Sequence, residues 1–188
     1  MELTIQQEQV LSQVKDFIQS DASVFILRGY AGTGKTTLIQ HIAAALDNKI
    51  VLMAPTGRAA QVLSAKTGQK AATIHRTIYE LSALSIDEKQ DIADADITFS
   101  FHIRDAKERV VAIVDEASML ISRTVRQELM RFGTDNLMND LLTFVRPSFG
   151  GKLICVGDPA QLPPVGEQES NALSAEFFRS KGKYMKPN

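Results

Sequence analysis

"SVFILRGYAGTGKTT", residues 23–37, decides the fold. Its first half, Ser23–Arg28, is short, apolar and rich in β-formers, the pattern of a strand buried on both faces. Its second half, Gly29–Thr37, fits G-x-x-x-x-G-K-[ST] through Gly29, Gly34, Lys35 and Thr36. Glycines let a backbone curl until its N–H groups converge on phosphate oxygens, and the helix that follows adds its positive end. A strand leading into such a loop and then a helix is the context the pattern requires. Gly29, Ala31, Gly32, Thr33, Gly34, Lys35, Thr36 and Thr37 are therefore expected to bind the phosphates of ATP. Lys35 reaches the β- and γ-phosphates, and the Thr36 hydroxyl ligates Mg²⁺.

Working outward, the same strand-then-helix alternation recurs. "LTIQQEQVLSQVKDFIQ" (3–19) places Val10, Leu11, Val14, Phe17 and Ile18 at helical spacing, with Thr4 and Gln7 set as a capping box. "KIVLMAP" (49–55), "RVVAIVDEA" (109–117) and "GGKLICVGD" (150–158) are three more buried strands. Thr36–Leu46, "GRAAQVLSAKTG" (57–68) closed by Gly68, "TIHRTIYEL" (73–81), "SRTVRQELMRFG" (122–133) and "NLMNDLLTFV" (136–145) are expected to be helices. "ITFSFHI" (97–103) alternates like a half-exposed strand after the acidic stretch 82–96. The expected fold class is α/β: a P-loop domain with a mainly parallel sheet flanked by helices. In such a sheet, ligands gather at the carboxyl ends of the strands.

Asp115 and Glu116 fall at one of those ends, behind "VVAIV". Beside a phosphate loop the first acid holds Mg²⁺ and the second takes a proton from an attacking water. Neighbours on a strand point to opposite sides, so the two acids are expected to do different jobs. An acid in the base position favours hydrolysis. A small phosphoryl-transfer kinase would need an acceptor pocket and an arginine-rich lid, and neither is visible.

Bulk properties set limits. At 188 residues the chain suits one domain, and its net charge of −1 announces no global attraction to nucleic acid. Charge is uneven, however. No Asp or Glu occurs between Asn48 and Tyr79, where Arg58, Lys66, Lys70 and Arg76 lie. Cys155 is the single cysteine, and His41, His75 and His102 lack metal-ligand spacing, so neither a disulfide nor a zinc site is expected. No apolar run is long enough to span a bilayer and no signal peptide is visible, so a cytoplasmic setting without a membrane partner is expected.

The order of the motifs adds a resemblance. Gln7 precedes the phosphate loop, and "APTGRAA", "TIHR", "VDEASM" and "GDPAQLPPV" follow it. Over residues 3–166 this resembles the superfamily 1 DNA helicases of the RecD-like branch, with the Pif-type and Dda-type enzymes. The resemblance implies a pair of RecA-like domains with ATP between them, single-stranded DNA across the top, and ATP-driven movement 5′ to 3′. It implies that Gln7 contacts adenine, in addition to any capping role, and that Gln161 senses the γ-phosphate, joining Lys35 and Glu116 in catalysis. It implies DNA contacts by Thr56, Arg58, Thr73 and His75; a histidine packed on the core is the other reading of His75. It implies a RecA-like parallel sheet for this chain, and it places "ITFSFHI" either in a small, duplex-splitting β-hairpin inserted at about 82–108 or on a plain edge strand.

After Gly166 there is no sign of the second RecA-like domain, nor of its arginines. The expectation is a first motor domain alone that binds nucleotide weakly, hydrolyses it poorly and does not unwind DNA. Its partners would be single-stranded DNA, the missing second domain and a nuclease or replication complex. A non-motor P-loop nucleotide switch and a helicase-like subunit of an exonuclease complex are the alternatives.

Overall fold

The computed structural model describes residues 3–46, 50–87, 96–106, 109–145 and 150–180. Its elements are α1 (Ile5–Gln19), β1 (Val24–Arg28), α2 (Lys35–Ala45), β2 (Ile50–Ala54), α3 (Gly57–Thr67), β3 (Ala71–Thr73), α4 (Ile74–Ile78), β4 (Tyr79–Asp87), β5 (Asp96–Ile103), β6 (Val111–Val114), β7 (Met130–Phe132), α5 (Leu137–Val145), β8 (Lys152–Gly157) and α6 (Ala175–Ser180). Five strands form a parallel sheet in the order β1-β8-β6-β2-β3. The expected α/β, RecA-like architecture is present.

Alternation along the central strands builds the two halves of the core. Val111 and Ile113 of β6, with Ile154 and Val156 of β8, face a layer containing Val14, Phe17, Ile39, Ile42 and Leu63 from α1, α2 and α3. Ala112, Val114, Leu153 and Cys155 face the opposite layer, with Ile74, Ile78, Met138, Leu141, Leu142 and Phe178 from α4, α5 and α6. Both faces are covered, so these strands read as continuous apolar runs.

α1 has the capping box its sequence announces: the Gln7 amide donates to Thr4 Oγ1 (3.3 Å) and the Thr4 amide to Gln7 Oε1 (3.0 Å). Its last turn has no basic residue of its own. Cations from elsewhere serve instead. Arg109 donates to the Ile18 carbonyl (2.8 Å), and the buried Lys152 ammonium donates to the carbonyls of Ser20 and Ala22 while lying over the Phe17 ring. Free carbonyls at a helix end attract positive charge, so these contacts fix the end of α1 against the sheet.

A second, three-stranded sheet has the order β4-β5-β7. β4 and β5 pair antiparallel from Tyr79↔Ile103 to Asp87↔Asp96, with an irregularity between Leu81 and Ala83. The half-exposed "ITFSFHI" is thus a paired strand, and residues 88–95 of the expected insertion lie outside the described residues. Three expectations need correction. Ser122–Gly133 is not a helix: the Val125 amide donates to the Asp135 carbonyl (2.8 Å) rather than back along the segment, and Met130–Phe132 pairs with β5. The helix expected over 73–81 stops at Ile78, because Tyr79 enters β4. Asp115 and Glu116 lie past the end of β6 rather than on it, in a turn where Glu116 takes a left-handed backbone (φ 53°).

Candidate nucleotide and nucleic-acid site

Because the main sheet is parallel, all five strands deliver their carboxyl ends to one edge. In spatial order that edge carries the Gly29–Thr37 loop after β1, Asp158–Gln161 after β8, Asp115 and Glu116 after β6, Thr56 and Arg58 after β2, and Thr73 and His75 after β3. The residues expected to handle nucleotide occupy one end, and those expected to touch a strand of DNA occupy the other. Glu116 and Gln161 lie between.

At the nucleotide end the loop is anchored to the sheet by the Gly29 amide, which donates to the Gly157 carbonyl (3.0 Å). Gly34 then turns left-handed (φ 79°) to start α2, and a Cβ there would sit 2.6 Å from Gln7 Nε2. That closeness brings Gln7 to the loop, where its Nε2 donates to the Thr33 carbonyl (3.2 Å). The Lys35 ammonium is folded into the loop on the carbonyls of Gly29 (2.7 Å) and Tyr30 (3.0 Å). Ala31 and Gly32 are exposed at the loop tip, and Thr36 and Thr37 are half-buried in the first turn of α2. A cleft of about 400 Å³ opens here, lined by Gln7, Val10, Gly29, Tyr30, Lys35 and Pro159 among others. An apolar wall with a few convergent polar groups suits a base and its phosphates.

Asp115 is 8% exposed and accepts the Glu116 amide (3.0 Å). Burial raises its carboxyl above the ordinary range, and the Glu116 charge adds to this. The Glu116 N–H and the charges of Lys35 and Lys66 pull the other way, which places the loop lysine within electrostatic reach of this acid. Oε2 of Glu116 is buried without a hydrogen-bond partner, an arrangement that is costly unless something completes it. The Asp115 carboxylate and the Thr36 hydroxyl are both oxygen donors, the chemistry that suits a hard divalent cation. The fully buried Ser118 hydroxyl donates to Gln161 Oε1 (2.5 Å), tying the turn that carries both acids to the proline loop.

At the other end Thr56 and Thr73 share a local design. Each caps a helix: Thr56 Oγ1 accepts the Ala59 amide and Thr73 Oγ1 the Arg76 amide, both at 3.2 Å. Arg58 is exposed in the first turn of α3, where no acid is present. His75 is an exposed residue whose ring packs T-shaped with Phe132 (centroids 5.3 Å, 81°) and lies tilted against Tyr79 at 5.7 Å. Desolvation against these rings holds its pKa below the ordinary 6.5. Sequence reading missed Ser118, Asp140 and Glu167. Asp140, fully buried, accepts the Tyr79 hydroxyl (2.6 Å) and the Thr134 hydroxyl (2.6 Å), binding the root of β4 to α5. All three gain their meaning from partners distant in sequence.

With this geometry in view, comparison with known proteins is specific. The chain belongs to the AAA domain family, whose model matches residues 2–176. Within it, the chain belongs with the superfamily 1 Pif1/RecD-like group, whose matched members are named as ATP-dependent DNA helicases. It is 29% identical over 187 residues to the ATP-dependent DNA helicase dda of Enterobacteria phage T4, covering 97% of this chain and 38% of that protein. It is 33% identical over 144 residues to the ATP-dependent RecD2 DNA helicase of Deinococcus radiodurans, covering 74% and 16%. The chain thus spans well under half the length of these relatives. The crystal structure of Pif1 helicase from Candida albicans shares the fold, with a TM-score of 0.55 at 22% identity over 94% of this chain and 37% of that one.

Proposed function

We propose that this chain is the N-terminal RecA-like ATPase domain of a DNA helicase that couples ATP hydrolysis to 5′-to-3′ movement on single-stranded DNA. The observation that carries the proposal is the ordered edge of the sheet, with phosphate loop, Gln161, paired acids, then Thr56, Arg58, Thr73 and His75. Adenine lies against Gln7, and the backbone from Gly29 to Thr37 surrounds the phosphates. Lys35 leaves its loop carbonyls to meet the β- and γ-phosphates. Thr36 and Asp115 would hold Mg²⁺, which supplies neutralisation of phosphate charge. Glu116 accepts the proton of the attacking water, and Gln161 senses whether a γ-phosphate is present. A cation in the first turn of a helix works against the helix dipole, so the exposed Arg58 on α3 suits an external anion, a DNA phosphate. His75, neutral at pH 7, offers its ring rather than charge.

The exposed apolar side chains of Tyr30, Leu162 and Val165 sit on loops at this edge and suit closure against a second RecA-like domain of the same protein. Alone, the chain binds nucleotide weakly, hydrolyses it poorly and does not unwind DNA. The protein works in the cytoplasm, within a nuclease or replication complex. The test is ATPase rate of the full-length protein with and without single-stranded DNA. Stimulation that is abolished by Glu116→Gln is expected. Absence of stimulation would leave a non-motor nucleotide switch as the reading.

A further inference from the structure

The loop after β8 consists of two turns, Asp158–Gln161 and Pro164–Glu167, separated by Leu162 and Pro163. In the first, the Gln161 amide donates to the Asp158 carbonyl (3.2 Å), and the Asp158 carboxylate accepts the Ala160 amide (2.8 Å). In the second, the Glu167 amide donates to the Pro164 carbonyl (2.9 Å), with Gly166 at φ 83° in the third position. The first turn presents Gln161 and the second presents Glu167.

The Glu167 carboxylate is surrounded by donors. It accepts the Ser122 amide (2.6 Å), the Arg123 amide (3.2 Å), the Ser122 hydroxyl (3.0 Å) and the Asn171 side-chain amide (3.3 Å). Charge-assisted bonds of this kind are about twice as strong as neutral ones. Ser122 lies four residues beyond Ser118, the partner of Gln161. The proline loop is thus tied to the segment after the paired acids at both ends, by Ser118–Gln161 and by Glu167–Ser122. The prolines limit the backbone freedom left between these ties.

We propose that Glu167 is a positioning residue for Gln161, holding the far end of the proline loop so that Gln161 meets the γ-phosphate at a fixed height above the sheet. This rests on the reading of Gln161 as the γ-phosphate sensor. It concerns only the chain's own geometry, and Glu167 touches no nucleotide.

The test compares the affinity of the chain for a non-hydrolysable ATP analogue with that for ADP, both with Mg²⁺, by calorimetry. Their ratio reports discrimination for the γ-phosphate. Glu167→Gln keeps size but turns one acceptor into a donor facing donors. It is expected to lower the ratio at least about fivefold while ADP affinity moves less than twofold, with loss of exchange protection at the Ser122 and Arg123 amides. Ser122→Ala, which removes one donor and no charge, is expected to lower the ratio by a smaller factor, and it decides the matter if Glu167→Gln does not fold. Gln161→Ala sets the floor. If Gln161→Ala flattens the ratio and the other two variants leave it at the wild-type value, the role of Glu167 is overturned and the sensor reading stands. Equal loss of both affinities also overturns it, marking Glu167 as scaffold. If Gln161→Ala itself leaves the ratio unchanged, the sensor reading fails and this inference fails with it.

Discussion

Glu116 holds a left-handed backbone that costs a non-glycine residue on the order of 1–3 kcal/mol. It also buries a carboxylate oxygen without a partner. Strain and an unsatisfied atom at one residue are what a site adapted to a bound ligand looks like before that ligand arrives. Glu116→Gln should leave nucleotide affinity within a few fold while cutting turnover of the full-length protein by about 10²–10⁴; comparable turnover in a steady-state ATPase assay would remove Glu116 as the base. Gly34 makes a second test at this scale. Gly34→Ala puts a methyl group at φ 79° and against Gln7 Nε2, so nucleotide affinity should fall at least tenfold. The Gln7–Thr33 contact should break, which Gln7→Ala in the Gly34→Ala background would check by adding little further loss.

Among elements, the rooting of β4 is the sharpest case. Tyr79 packs with Phe132 and His75, and its hydroxyl donates to the buried Asp140. Burial first, and then that bond, hold the phenol proton far above its ordinary range, so Tyr79 stays a donor throughout the pH range of folding. Tyr79→Phe should cost about 1–2 kcal/mol by leaving Asp140 a donor short, read as a melting point lower by a few degrees. His75 in the same cluster predicts a pH effect. Its proton affinity is lower folded than unfolded, so stability should decline as pH falls through about 6.5 towards the depressed native value. His75→Gln should flatten that part of a melting-point profile between pH 7 and 5.

The same elements show what a sequence displays. β6 and β8 were legible because burial on both faces leaves an unbroken apolar run, and β1 reads the same way although it lies at the sheet edge and is only partly buried. The phosphate loop was legible because its backbone geometry demands glycines at fixed spacing. Ser122–Gly133 misled because helical spacing of Val125, Leu129 and Phe132 says nothing of its partners elsewhere in the chain, the Asp135 carbonyl for the Val125 amide and β5 for Met130–Phe132. β3 escaped because three residues carry no period. Gln7 is expected both to cap α1 and to contact adenine; the cap is present, with Oε1 accepting the Thr4 amide, and Nε2 donates to the Thr33 carbonyl of the phosphate loop.

For the whole molecule, the proposed separation of tasks along one sheet edge predicts separable phenotypes. Arg58→Ala in the full-length protein should weaken single-stranded DNA binding and reduce the slope of log affinity against log salt by about one, leaving nucleotide affinity in the absence of DNA unchanged. A loss of nucleotide affinity instead would place Arg58 at the wrong end of the edge.

The strand order has a consequence in time. β8, the last strand in sequence, lies between β1 and β6, and its Gly157 carbonyl anchors the first residue of the phosphate loop. A growing chain therefore synthesises its phosphate loop early and cannot anchor it until residue 157 has left the ribosome. Every pairing of β1 in the main sheet waits on a partner about 130 residues away, the long-range kind of closure that makes folding slow. Nascent chains halted before β8 should bind no nucleotide, and chains halted once β8 is free should acquire binding in a single step.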